Sequence, residues 1–334
     1  MKEEPKKRVE YIDVARGIAI ILMVIGHILD INNIFRKIIF SFHMPIFIII
    51  SGYFYKDSST KDFIINTIKK LVIPYVIAVL CFDIIDSYEK GIIYILTRFS
   101  KQIIFSTTSV AYLKYADSSS MIDCLWFIPM LIITKILFRL IKKILKNNEL
   151  QIVFCIFLFL CLGFQLGKIK YWLPFSIDVS MSCLIFFYLG YILKKYDGLN
   201  KILNDNISIF ILFIIWVITI KLNYKVELVI RAYSIFPLSI IGAISGSIVV
   251  FKISQIISLK VKILSDILSW YGKNSIFILI MHYLEKNIIP YDRFFVVQEH
   301  IILINYIKLL IVTIGTLIIE NTYKLVNNSK LCIK

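Results

Sequence analysis

Apolar stretches, each close to the length of a bilayer crossing, follow one another along the whole chain, and few folds accommodate that. A membrane-spanning helix needs about 20 predominantly apolar residues. Ten such stretches are read at roughly 12–31, 37–55, 71–88, 122–141, 151–168, 177–193, 206–222, 233–252, 274–290 and 301–320. Composition agrees, since 59% of the residues are apolar and the mean hydropathy is +0.81, against about 45–50% apolar in soluble chains. A water-soluble enzyme is excluded, and so is a disordered chain, which needs low hydrophobicity. The net charge of +16 would ordinarily suggest nucleic acid. Here the Lys and Arg are dispersed between apolar runs, where they anchor helix ends to anionic headgroups. The expected partners are membrane lipids, not nucleic acid. The expected fold class is an all-α integral membrane bundle of about ten transmembrane helices, forming a single polytopic domain over residues 1–334.

Two segments between these stretches read differently. Residues 89–121, with Lys90, Arg98, Lys101 and Lys114 among apolar pieces, are too broken to span and are expected as an interfacial or re-entrant loop. Residues 253–271 have the pattern of an amphipathic interfacial helix. Residues 1–10 are polar and basic, and the apolar run after them is long enough to stay in the bilayer rather than be cleaved as a leader. The six cysteines, Cys81, Cys124, Cys155, Cys161, Cys183 and Cys332, form no CxxC and read as small buried hydrophobes. No metal is expected.

Charge sets the orientation. With the N-terminus inside, about 24 of the 38 Lys and Arg fall on the cytoplasmic side, including Lys6-Lys7-Arg8, Lys69-Lys70, Lys142-Lys143-Lys146 and Lys194-Lys195. Both termini are therefore expected in the cytoplasm.

A charged side chain at membrane depth is costly and marks a functional site by default. Arg16 and His27 lie eleven residues apart in the first stretch, so they share one face of a helix, about 16 Å apart along its axis. Asp13, one turn before Arg16, is placed to neutralise it. Gly17 and Gly26 leave room for a close neighbour or a ligand. The bland alternatives are an anchor pair for Asp13–Arg16 and a hydrogen-bonded core imidazole for His27. In the second stretch, Phe42-His43-Met44-Pro45 puts His43 at a depth similar to His27, as a catalytic pair or one polar network, or as a structural histidine. Lys69, Lys70, Pro74 and Tyr75 open the third stretch as anchors or phosphate contacts. Trp126-Phe127 with Pro129 reads equally as core or belt. Ser275 and His282, seven apart, share a face of the ninth stretch. No P-loop, GxGxxG, HExxH or GxSxG occurs, which weighs against an ATPase, a dinucleotide enzyme and a zinc protease.

The run from Arg8 through Tyr11-Ile12-Asp13-Val14-Ala15-Arg16-Gly17 to Gly26-His27 resembles the first-helix signature of the membrane acyltransferase 3 family, with its arginine, ten residues, then histidine. Phe42-His43-Met44-Pro45 and Ser51-Gly52-Tyr53-Phe54 look like the branch containing fucose 4-O-acetylases. Lys70 with Pro74-Tyr75, Trp126-Phe127, and Gly272-Lys273-Asn274-Ser275 before His282 follow the same family order. The resemblance implies a ten-helix enzyme taking acetyl groups from cytoplasmic acetyl-CoA, its donor substrate, and passing them to sugar hydroxyls of surface polysaccharides or lipid-linked precursors. The setting it implies is the bacterial cytoplasmic membrane. Where the family often has two arginines three apart, this chain has Thr67 and Lys70, with Lys69 beside it; lysine meets a phosphate as a point charge without the bidentate fork. The family also includes polysaccharide exporters and the membrane domain of a serine racemase, so an exporter of polysaccharide or lipid-linked glycan is the competing reading. A small-molecule uptake or sensing module is a third.

Acyl transfer to an alcohol needs a base near the hydroxyl and positive charge for the donor's phosphates. The expected catalytic residues are His27, His43 and Arg16; Asp13, Lys69, Lys70, Trp126, Ser275 and His282 are expected to bind substrate. The orientation has a direct check in a cysteine-free background. Labelling of intact cells with an impermeant maleimide is expected to modify Tyr171→Cys and spare Thr60→Cys, and the reverse pattern would invert the topology.

Overall fold

A computed structural model describes residues 10–30, 32–108, 117–223, 226–294 and 300–331, apart from the side chains of Asp292 and residues 323–331. Lys6, Lys7, Arg8, Lys114 and Cys332 lie outside the described residues. The helices are α1 (Glu10–Gly26), α2 (Ile34–Tyr53), α3 (Thr60–Thr67), α4 (Ile73–Ser87), α5 (Ile92–Phe105), α6 (Phe127–Ile144), α7 (Glu149–Lys168) and α8 (Ile177–Lys195). They continue as α9 (Gly198–Asn204), α10 (Asn206–Lys221), α11 (Leu238–Lys260), α12 (Lys262–Lys273), α13 (Ser275–Ile288), α14 (Tyr291–Phe294) and α15 (Ile301–Leu331). Two-residue strands β1 (Val226–Glu227) and β2 (Ala232–Tyr233) pair antiparallel between α10 and α11. The protein is an all-α membrane protein, with this small hairpin the one sheet among the described residues.

Among the described residues, six segments are long and apolar enough to cross a bilayer: those starting at Ile34, Asp123, Glu149, Pro174, Leu238 and Ile301. A seventh arises if α9 and α10, bent by 90° at their junction, count as one. The three other expected stretches fall on α1, α4 and α13, of 17, 15 and 14 residues, each shorter than the about 20 of a straight crossing.

Several expectations are corrected. The segment 89–121 is not merely a loop: it contains the 14-residue helix α5, which folds back on α4. Arg98 of α5 reaches Asp83 of α4, Nε to Oδ1 3.0 Å, and also pairs with Asp86. The stretch 253–271 is not one amphipathic helix. Residues up to Lys260 complete α11, and α12 then packs along α1. The eighth stretch begins at Leu238 rather than 233, because residues 226–233 form the hairpin. Of the cysteines, Cys124 and Cys183 are buried but Cys81 is exposed on its helix.

Between helices in lipid there is little hydrophobic driving force, so close packing through small residues carries the association. A Cβ at Gly17 would overlap the carbonyl of Leu268, and one at Gly272 would overlap that of Asp13. Backbones of α1 and α12 therefore touch. Gly52 and Gly190 bring α2 and α8 together in the same way, against the carbonyls of Phe187 and Ile49. Glu10 meets Lys262 and Ser265, Gly17 meets Leu268, and His27 meets His282. This order of contacts means that α12 and α13 run beside α1 in the same direction.

Segment α3–α4 carries a local widening. Residues Ile68–Val72 form a π turn, in which Ile73 N–H bonds the carbonyl of Ile68 five residues back. Pro74 follows in the first turn of α4 and has no N–H to give. Such turns concentrate at functional sites, and this one carries Lys69 and Lys70. On the far side, the hairpin is pinned by a buried ion pair, Arg231 Nε to Asp178 Oδ2 at 2.9 Å, with the guanidinium 3.8 Å over Trp172. Losing one member would leave a buried charge, at a cost of about 3–5 kcal/mol.

Gly17→Val and Gly272→Val are each expected to abolish the monodisperse size-exclusion peak of the detergent-solubilised protein. Gly198→Ala, where the nearest atom to an added Cβ is 3.4 Å away, should leave it intact.

Candidate functional site

A cavity of about 860 Å³ runs along α1, with Asp13, Arg16, Ile20, Met23 and His27 on its wall. The shared helix face expected for Asp13, Arg16 and His27 is thus the one turned to the cavity. Asp13 is buried and pairs with Arg16, Oδ1 to NH1 3.8 Å, while Arg16 also lies 5.8 Å over the ring of Phe54. Phe54 directly follows the end of α2, so the start of α1 meets the end of α2 and the two helices are antiparallel.

This sense of α2 gives the cavity two chemically distinct ends. Near Arg16 gather Lys56, Lys70, Lys135 and Lys273, with Asp13 as the one carboxylate among the described lining residues there. Lys69 and Lys70 of the π turn are both exposed, and of the two Lys70 lines the cavity. Phe63 of α3 lies under Lys135 and Arg139, at 6.0 and 4.8 Å, which ties α3 to α6 beside the cationic end. Near His27 stand Arg36, Phe40 and His43 from α2, Asp123 and Trp126 from the turn before α6, Lys286 from α13, and Glu227 from the hairpin. Trp126 is buried and lines the cavity, which decides between core and belt. Ser275, at the start of α13, also lines it.

The histidines are arranged differently from the expected His27–His43 pair. Phe40 touches both rings, at centroid separations of 5.9 Å to His27 and 4.6 Å to His43. His43 donates Nδ1–H to the carbonyl of Ile39 at 3.0 Å, which leaves Nε2 as its acceptor. The imidazole packed directly on His27 is His282, 5.3 Å between centroids. His282 itself is fully buried behind the cavity wall.

Residues that the sequence reading missed complete this end. Glu285 sits one turn after His282 and meets its Nδ1 at 3.2 Å. Lys308 of α15 approaches the other carboxylate oxygen at 3.7 Å. Lys286 pairs with Asp123 at 2.8 Å. The signal was present: Glu285, Lys286 and Lys308 are charges within apolar stretches, and Glu285 follows His282 at helical spacing. Among the described residues no group of three His, Cys, Asp or Glu side chains is placed to hold a metal ion.

Long apolar helices packed around a cavity define a multi-pass membrane protein. The family model for the acyltransferase 3 family, described as an acyltransferase domain, matches residues 9–320. The chain belongs to this family, and that places it among the membrane acyltransferases. No curated protein and no solved structure matches it.

Proposed function

We propose that the protein is an O-acetyltransferase of the fucose 4-O-acetylase-like branch. It takes acetyl from cytoplasmic acetyl-CoA and passes it to a hydroxyl of a surface polysaccharide or lipid-linked sugar. The observation that carries this reading is the single cavity joining a cationic end at Arg16 to an imidazole end at His27, about 16 Å apart along one helix. Phosphates of the donor suit the cluster of Arg16, Lys70, Lys135 and Lys273, and its thioester arm lies along Ile20 and Met23. At the other end His27 takes the proton of the acceptor hydroxyl as the oxygen attacks the acetyl carbon. The carbon–sulfur bond breaks, and the departing thiolate takes up a proton. His43 and Trp126 face the acceptor, with Ser275 and Asp13 supporting the donor side.

In this reading all ten apolar stretches cross the bacterial cytoplasmic membrane, with both termini and the cationic end inside. The short helices then reach the required length by continuation, α4 through the π turn into α3 and α13 through α12.

His27→Ala is expected to abolish incorporation of radiolabelled acetyl from acetyl-CoA into native membranes at unchanged expression. His43→Ala should be severe with residual activity. A fully active His27→Ala protein would sink the mechanism.

Donor recognition has its own check. Arg16→Lys keeps the charge and loses the planar fork, so activity should fall strongly. Lys70→Ala should raise KM for acetyl-CoA more than Lys69→Ala does, and the rise should grow weaker with salt as the remaining charges are screened. A glycan exporter needs no coenzyme A site, so absence of acetyl-CoA binding to purified protein would favour that reading.

A further inference from the structure

The mechanism above uses His27 and leaves unexplained the charged groups buried behind it. His282 and Glu285 of α13 and Lys308 of α15 are buried to 0%, 3% and 4% exposure. Placing them in an apolar bundle is costly unless they do something there. Their order is specific. Lys308 Nζ stands 3.7 Å from Glu285 Oε1, and Glu285 Oε2 stands 3.2 Å from His282 Nδ1. The His282 ring then packs on His27, with centroids 5.3 Å apart and planes at 38°. His282 Nε2 is buried and has no hydrogen-bond partner among the described residues.

Since a carboxylate only accepts, His282 Nδ1 must carry the proton it shares with Glu285. That leaves Nε2 as an acceptor, the one polar atom of this ring left to meet His27. Two imidazoles joined by one N–H···N bond have centroids about 5 Å apart, because the bond itself spans about 3 Å. The observed separation matches, and an N–H donated by His27 would satisfy the buried His282 Nε2. We infer that Glu285 and His282 are positioning residues: Glu285 fixes the tautomer of His282, and His282 orients His27 and strengthens its remaining ring nitrogen as the base for acyl transfer.

The logic is that of a base oriented by a third group, lengthened by one imidazole. Lys308 supplies the counter-charge that lets a carboxylate sit at this depth. Other charged groups near the two rings are already engaged: Lys286 with Asp123 at 2.8 Å, and Arg36 over Phe40 at 4.2 Å. His43, beyond Phe40, has its Nδ1 on Ile39. None of them meets His282 Nδ1.

This inference rests on the acetyltransferase reading, and the experiment separates the two. Native membranes carrying wild-type protein, Glu285→Gln, Glu285→Ala or Glu285→Asp are given radiolabelled acetyl-CoA, and turnover and KM are measured for acetyl incorporation. In parallel, the purified proteins are treated with diethyl pyrocarbonate, and carbethoxylation of His27 is followed by peptide mass. Glu285→Gln, which still accepts the hydrogen bond, should lose about 10-fold in turnover, and Glu285→Ala on the order of 100-fold. KM for acetyl-CoA should stay put, and Glu285→Asp should recover part of the loss. His27 carbethoxylation should slow in the same rank order. Wild-type turnover in Glu285→Ala would overturn the inference. So would a loss of turnover with His27 reactivity unchanged, which would mark Glu285 as structural only. If wild-type membranes incorporate no acetyl, the acetyltransferase reading fails. His27 reactivity then decides the positioning role by itself, slower in Glu285→Ala supporting it and unchanged overturning it.

Discussion

The contact on which the rest depends is the backbone touch between α1 and α12 at Gly17 and Gly272. In a bilayer, helices gain little from burying apolar surface against each other, so they hold where backbones approach closely. The glycines let the first turns of α1 lie against α12, with Asp13 and Gly17 at its surface. That contact sets the rotation of α1 about its axis, and hence the face it shows to the cavity. Because α13 continues in the direction of α12, the same contact delivers His282 to His27 at the far end. One pair of small residues thus aligns α1 with α12 and, through it, with α13.

The cost of charge in an apolar bundle explains why the remaining polar groups come in sets. Asp83 with Arg98, Asp178 with Arg231, and Glu285 with His282 and Lys308 each neutralise internally at depth. The first pins α5 to α4 and the second pins the hairpin to α8. The third set packs through His282 directly on the ring of His27, a cavity-lining imidazole. At the cationic end the balance is reversed, with several lysines and Arg16 facing one carboxylate. An excess of one sign around a cavity is a demand for a ligand of the other sign.

Much of the membrane architecture could be read from the chain, because apolar length is a local property. Each of the ten apolar stretches corresponds to a helix, and the face shared by Asp13, Arg16 and His27 follows from 3.6 residues per turn. The segments that went astray are those where local pattern competes with tertiary context. Residues 89–121 read as broken because Arg98, Lys101 and other lysines interrupt them, yet Arg98 pairs with Asp83 and Asp86 of the preceding helix and residues 92–105 stay helical. Residue 233 reads as the start of the eighth span, but it pairs with Val226 in a hairpin that the pairing of Asp178 with Arg231 pins.

The sequence by itself determined that this is an integral membrane protein, which residues carry charge at depth, and which of them share one helix face. Those are consequences of composition and helical periodicity. Tertiary structure alone decided which imidazole stands against His27, since His43 is nearer in sequence but Phe40 comes between, whereas His282 arrives from more than 250 residues away through the α1–α12 contact. It also decided that Lys70, and not Lys69, lines the cavity, since consecutive helical residues point to different sides and packing chooses which side faces inward. Neighbours across a helix bundle are set by where backbones touch, and a linear pattern carries no record of that.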